Sequence, residues 1–137
     1  MEAGHFIEVI NPYNWLPGYG ENSVQISMQG MNMTVLITYD SEDGEQQQKE
    51  IIFKNVSSFY HGSFPGPNML RIIYNSEDKE NMPLGTLVEF PESEAARAWT
   101  EHHQGIWSVK HYKWIFLSEN IMLEIFAEMV QIEDHLF

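Results

Sequence analysis

The stretch Val24-Gln25-Ile26-Ser27-Met28-Gln29-Gly30-Met31-Asn32-Met33-Thr34-Val35-Leu36-Ile37-Thr38-Tyr39 decides the fold class. Val24, Ile26 and Met28 alternate with Gln25 and Ser27, the period-two pattern of a strand with one buried face. Gly30 allows a tight reversal. Met33, Val35, Ile37 and Tyr39 then resume the alternation, with Thr34 and Thr38 on the other side. Two such runs across a short glycine-bearing connection read as a β-hairpin.

Toward the amino terminus, residues 4–10 read as a short strand, and residues 11–20 as a loop dense in Pro, Gly, Asn and aromatics. Toward the carboxy terminus, residues 40–48 are polar and carry Asp43-Gly44, a turn signal between apolar runs. Residues 49–56 resume as strand, 57–68 read as an irregular stretch, and 69–74 as strand again. A charged loop over 75–83 leads to a strand over 84–90, with Leu84, Thr86, Val88 and Phe90 on one face.

One helix stands out, near residues 93–104. Ser93 is a capping residue, Glu94 suits the positive end of the helix dipole, and Gly105 is placed to end it. Ala95, Ala98, Trp99 and His102 recur at helical spacing and are expected to face the sheet. Strand character then returns, with Tyr112, Trp114 and Phe116 alternating before a short turn and a last strand over 121–127. In that strand Leu123, Ile125, Ala127 and Met129 form the cleaner apolar set and the expected core face, opposite Met122, Glu124, Phe126 and Glu128. Short connections without crossover helices imply local antiparallel neighbours. The expected architecture is α+β, a single domain over residues 1–137. It is mainly an antiparallel curved sheet or partial barrel of about six to eight strands, with one helix on one side.

At 137 residues, 43% of them hydrophobic, the chain can bury a core without disulfides or a structural metal. Cysteine is absent, which excludes thiol nucleophiles, iron–sulfur clusters and thiolate zinc sites. Seven Lys and Arg face twenty Asp and Glu, for a net charge of −13. Binding nucleic acid requires clustered cations that displace counterions, and anionic membranes demand the same, so neither partner is expected. A cationic protein partner is favoured instead, because a field of this sign accelerates encounter with a positive surface. Residues 1–10 hold no Lys or Arg and no apolar run of signal-peptide length, so the expected compartment is the cytoplasm.

The chemical motifs are weak. Adjacent His102 and His103 cannot both face one ion from a helix, no His-Glu-x-x-His occurs, and no metal or cofactor is expected. Asp40-Ser41-Glu42-Asp43-Gly44 fails as a calcium loop, since its glycine falls one position early and Ile51 stands where a bidentate Glu is needed. His61-Gly62-Ser63 lacks the frame of a nucleophile elbow. Glu89, Glu92 and Glu94 at the strand-to-helix junction are accounted for by capping and solvation. No phosphate-cradling loop or dinucleotide fingerprint is present, and no catalytic residue is expected. The loop aromatics, Tyr13, Trp15 and Tyr19 in the first loop and Phe59, Tyr60 and Phe64 in the central one, either plug the sheet or anchor a partner.

The strings Gly85-Thr86-Leu87-Val88-Glu89-Phe90, Ala98-Trp99, His111-Tyr112-Lys113-Trp114-Ile115-Phe116 and Leu123-Glu124-Ile125-Phe126-Ala127 resemble small bacterial proteins. Some of these are similar to the immunity proteins of polymorphic toxin systems, which neutralise a toxin by direct binding. The resemblance covers the carboxy-terminal half and implies a bacterial binding protein rather than an enzyme. The expected function is therefore non-enzymatic: an acidic protein-interaction domain of immunity type. Its partner-binding residues would be Asp40, Glu42, Asp43 and Glu45 in one loop, Glu77, Asp78 and Glu80 in another, and the aromatics Tyr13, Trp15 and Tyr60. The alternative is a ligand-binding or enzymatic domain with a pocket between sheet and helix, lined by Trp99, Trp107, His111 and Trp114.

Overall fold

The computed structural model describes residues 1–18, 20–67, 69–75 and 83–136, with the side chains of 134–136 outside that description. In chain order the elements are β1 (Glu2–Gly4), β2 (Ile7–Ile10), a 3₁₀ turn (Pro12–Asn14), β3 (Ser23–Gln29) and β4 (Asn32–Asp40). They continue with β5 (Gln46–Ser63), β6 (Ile73–Tyr74), β7 (Leu87–Glu89), α1 (Glu94–His102), β8 (Lys110–Phe116) and β9 (Ile121–Leu136). Seven strands form one antiparallel sheet in the order β2-β7-β8-β9-β5-β4-β3, while β1 and β6 make a separate parallel pair. This is an α+β fold, and the sheet is open rather than closed.

The hairpin read from the sequence forms in full register, from Ser23 opposite Thr38 to Gln29 opposite Asn32. Its two-residue connection has positive φ at Gly30 (59°) and not at Met31, the pattern of a type II′ turn, which favours glycine at its first central position. Strand β5 then lies between β4 and β9, and its ladder with β9 runs from Gln47 opposite Leu136 to Ser63 opposite Ile121.

Two layers of core lie on the two faces of the sheet. On one face Val35, Ile37, Ile51, Phe53, Tyr112, Trp114, Leu123 and Ile125 pack together. Val9 and Ile10 of edge strand β2 and Val24 and Ile26 of the opposite edge strand β3 reach this same cluster. The sheet thus curls until its two ends share one apolar centre, as twisted sheets tend to do. On the other face α1 covers Val88, Phe90, Val109 and Phe126, joined by Ala3 and Ile72.

Several expected boundaries move. Residues 4–10 are two elements rather than one strand, and the irregular stretch expected from residue 57 is strand as far as Ser63. Its alternation is masked because Ser58 and Gly62 occupy half-buried positions while Phe59 is exposed. A Cβ at Gly62 would sit 2.5 Å from the Tyr60 ring. Only Ile73 and Tyr74 of the expected strand over 69–74 pair, and only Leu87–Glu89 of that over 84–90, where Leu84 is exposed.

Met129 is exposed instead of buried, and Val130 packs against the core in its place. The cause is a break in side-chain parity near Asn55, whose φ is +51°, whose backbone N–H donates to Asn32 Oδ1 and whose side-chain amide donates to Glu128 Oε1. Core residues run Ile51, Phe53, then Val56 on β5, and Leu123, Ile125, Ala127, then Val130 on β9. Phe53 stands opposite Val130 and Val56 opposite Ala127, three steps apart on each strand, so the side-chain phase changes there without a register shift; the bulge itself follows between Val56 and Ser58.

The helix begins as expected, with Ser93 Oγ accepting from the Ala96 N–H, and ends at His102. Of the expected face, Ala95 is buried, Trp99 packs against the same core and Ala98 is half-buried, whereas His102 is exposed and Ala96 is buried in addition. Among the described residues no helix is long and apolar enough to cross a membrane. Leu123→Ala should cost about 2–5 kcal/mol of unfolding free energy, because it empties fully buried space. In urea titrations Ile132→Ala, at 43% exposure, should cost far less. Equal losses would contradict this layering.

Candidate functional site

The strongest convergence of chemistry-bearing side chains among the described residues lies between the sheet and α1. Strand β8 contributes His111 and Lys113, which face α1 because Tyr112 and Trp114 face the other core. Lys113 stands directly opposite Glu124 of β9, and His111 reaches the same carboxylate from the neighbouring pair. Diagonal contacts of this kind are within reach of long side chains on adjacent strands.

The bonds form a continuous chain. His111 Nδ1 lies 2.8 Å from Ser93 Oγ, and His111 Nε2 lies 2.6 Å from Glu124 Oε1. The Tyr74 hydroxyl donates to the same Glu124 oxygen at 2.7 Å. One placement of hydrogens satisfies every contact: Ser93 O–H donates to Nδ1 while accepting from Ala96, and Nε2–H donates to Glu124. Glu124 Oε2 has no hydrogen-bond partner among the described residues, but Lys113 Nζ lies 3.7 Å away and 3.9 Å above the Tyr74 ring. Phe90 and Phe126 sandwich the imidazole, with ring centroids 4.6 and 4.5 Å away.

Burial sets the electrostatics. It pushes the Tyr74 hydroxyl well above the ordinary tyrosine range, and the neighbouring Glu124 charge and hydrogen bond push the same way. Burial lowers the Lys113 ammonium, against the opposing pull of Glu124. Tyr112, on the other face, is also raised by burial and then by Glu89.

Ser93, His111 and Glu124 have the composition of a hydrolytic triad. His111 and Glu124 are 0% exposed, however, and Ser93 is 3% exposed with its oxygen already capping α1. The groove of about 320 Å³ beside Ser93, lined in part by Arg97, Thr100 and Lys110, stops short of the imidazole. In this geometry the array holds helix to sheet; it offers a substrate no approach to the imidazole or the carboxylate.

Sequence reasoning named His111 but missed Ser93 as its partner, Tyr74, Lys113 and Glu124. A usable signal was present: β9 is apolar on both faces, with Phe126 beside Glu124, which marks a strand covered on both sides. The other members of the alternative pocket do not join His111 in one cavity. Trp99 and Trp107 flank His103, at 6.0 and 4.3 Å between ring centroids. Trp114 lies in the opposite core, where its Nε1–H donates to Gly85 O. His103 Nε2 is 2.8 Å from Ser57 Oγ, and no group of three or more His, Asp or Glu among the described residues could hold a metal ion.

Of the expected partner-binding residues, Asp40, Glu42, Asp43 and Glu45 gather where β4 turns into β5. There the Ser41 hydroxyl donates to Asp43 at 2.6 Å and holds that carboxyl below its usual range. Glu77, Asp78 and Glu80 lie outside the described residues, as does Tyr19. Tyr13 is exposed, whereas Trp15 packs on Tyr39 at 5.0 Å with Lys49 over its ring, and Tyr60 is half-buried. No protein-family model, curated protein or solved structure matches the chain at a significant level.

Glu124→Ala should destabilise by about 3–5 kcal/mol, since it strands buried polar groups, and Tyr74→Phe by about 1–3 kcal/mol. The pH response has a definite sign. The folded tyrosines hold their protons above the unfolded value of 10.0, so their contribution is complete below pH 10 and is lost as pH rises beyond it. Lys113, depressed from 10.5, acts oppositely, but only below that value. The unfolding free energy from urea titrations above pH 10.5 should therefore fall, at most about 1.4 kcal/mol per tyrosine per pH unit, and more gently in Tyr74→Phe. An unchanged slope in that variant would remove Tyr74 from the array.

Proposed function

We propose that the chain is a binding module that captures a cationic protein partner through its acidic surface. In this reading it acts in the manner of the immunity proteins that its carboxy-terminal half resembles. The observation that carries the proposal is a contrast of placement. Groups that could do chemistry, His111 and Glu124, are sealed beneath α1, while Glu42, Asp43 and Glu45 stand exposed at the β4–β5 turn. A net charge of −13 adds a long-range field of the same sign.

Exposed carboxylates of this kind contribute more to encounter rate and selectivity than to net affinity, because water screens them and salt weakens them. The expected signature is therefore kinetic. For a basic protein partner recovered on the immobilised chain, the triple variant E42Q/D43N/E45Q should slow association by about tenfold at low ionic strength. The difference should shrink at high salt, where the Debye length falls to about 3 Å. Failure to recover any basic partner at low ionic strength would falsify the reading.

A further inference from the structure

Strand β3 ends the main sheet, with β4 as its one neighbour among the described residues. In a two-residue hairpin the flanking pair, here Gln29 and Asn32, exchanges both backbone bonds, and this alternates along the strands. Ser23, Gln25, Ser27 and Gln29 therefore turn their N–H and C=O groups to β4. Val24, Ile26 and Met28 turn theirs to the open edge.

Edge strands are ordinarily protected by charge, proline, bulges or shortness. The opposite edge, β2, follows that rule: it has four residues, a charged Glu8 and a register shift between Glu8 and Ile10. Strand β3 has seven residues, no charge, no proline and an unbroken register. It is a ready template for another strand.

What lies beside the edge selects the occupant. The side chains of Val24, Ile26 and Met28 face an open groove of about 430 Å³ whose far wall is Phe59, His61 and Ile121. Met28 and Phe59 are each 43% exposed. A strand added along β3 would project alternate side chains to the side of the sheet that Val24, Ile26 and Met28 occupy, into this groove. At the Ser23 end, Ser23 pairs with Thr38, two residues before Asp40 and the turn bearing Glu42, Asp43 and Glu45. Strand rise and spacing put Asp40 on the order of 10 Å from Ser23. Backbone groups, an apolar trough and carboxylates at one end together match an extended peptide with alternating apolar residues and a basic end. A second copy of this chain is a poorer match, since each copy carries −13.

We infer that β3 is a docking edge, on which an extended cationic segment of the partner adds as an eighth strand. This rests on the binding-module reading and specifies how that partner is held. The probe is a synthetic peptide of alternating Val and Thr preceded by Lys-Lys, tested on the full-length chain by fluorescence anisotropy. A second peptide carries N-methyl groups on the amides that would face β3, which blocks the ladder without altering charge. N-methylation should weaken binding at least tenfold, and Ile26→Pro, which removes an edge N–H that β4 does not use, should do the same. Because the methylated peptide leaves the protein untouched, its result stands even where Ile26→Pro perturbs folding. E42Q/D43N/E45Q should weaken the unmodified peptide severalfold at low salt only.

Equal binding of both peptides, with loss only in the acidic-turn variant, overturns the docking edge and leaves the acidic-surface reading standing. No binding of either peptide overturns the docking edge. A concentration-dependent dimer in sedimentation that Ile26→Pro abolishes overturns it too, by giving the edge to a second copy.

Discussion

The ladder between β5 and β9 is the constraint on which the remaining structure depends. It joins the two halves of the chain, β3–β4–β5 on one side and β7–β8–β9 on the other, into one sheet. Its side chains supply both cores: Ile51, Phe53, Leu123 and Ile125 to one, Phe126 to the other. Backbone hydrogen bonds alone add little net stability, because water competes for the same groups. What fixes the register is the cost of moving those apolar side chains to the wrong face.

The second constraint is the polar array beneath α1. A buried carboxylate, imidazole, phenol and ammonium are costly unless they satisfy one another. They also orient what covers them. The Ser93 oxygen meets both His111 and the first turn of α1, so the helix can sit on the sheet in one rotation. This accounts for Ala96 joining Ala95 and Trp99 on the covered side while His102 stays exposed. Thr100 extends the same face, accepting from the Val109 N–H as the chain returns to the sheet.

The legible part of the fold was the part governed by local chemistry. Alternation from Val24 to Tyr39, glycine at position 30, and the Ser93 cap each state their structure within a few residues. Residues 57–63 were not legible, because serines and Gly62 conceal the period and the evidence for a strand lies in the partner near residue 121. Met129 was misplaced for a related reason: Asn55, more than seventy residues earlier, sets the parity of the strand opposite. The candidate site divides the same way. The acidic turn could be read directly, whereas the convergence of Tyr74, Ser93, His111 and Glu124 is a property of strand order, which no local pattern encodes.

The long ladder also has a kinetic side. Its closest pair, Ser63 and Ile121, encloses 57 intervening residues, and its farthest joins Gln47 to Leu136. Closing such loops loses chain entropy before the contacts return any of it, so topologies of this kind assemble in milliseconds to seconds. The hairpins β3–β4, β4–β5 and β8–β9 are local and can form earlier. Until β9 arrives, one edge of β5 stays open, and its second half beyond Phe53, where the pairing with β4 ends, has neither neighbour, the kind of transient edge that invites misassembly. Closure of this ladder is thus also what covers an edge otherwise open to neighbouring chains.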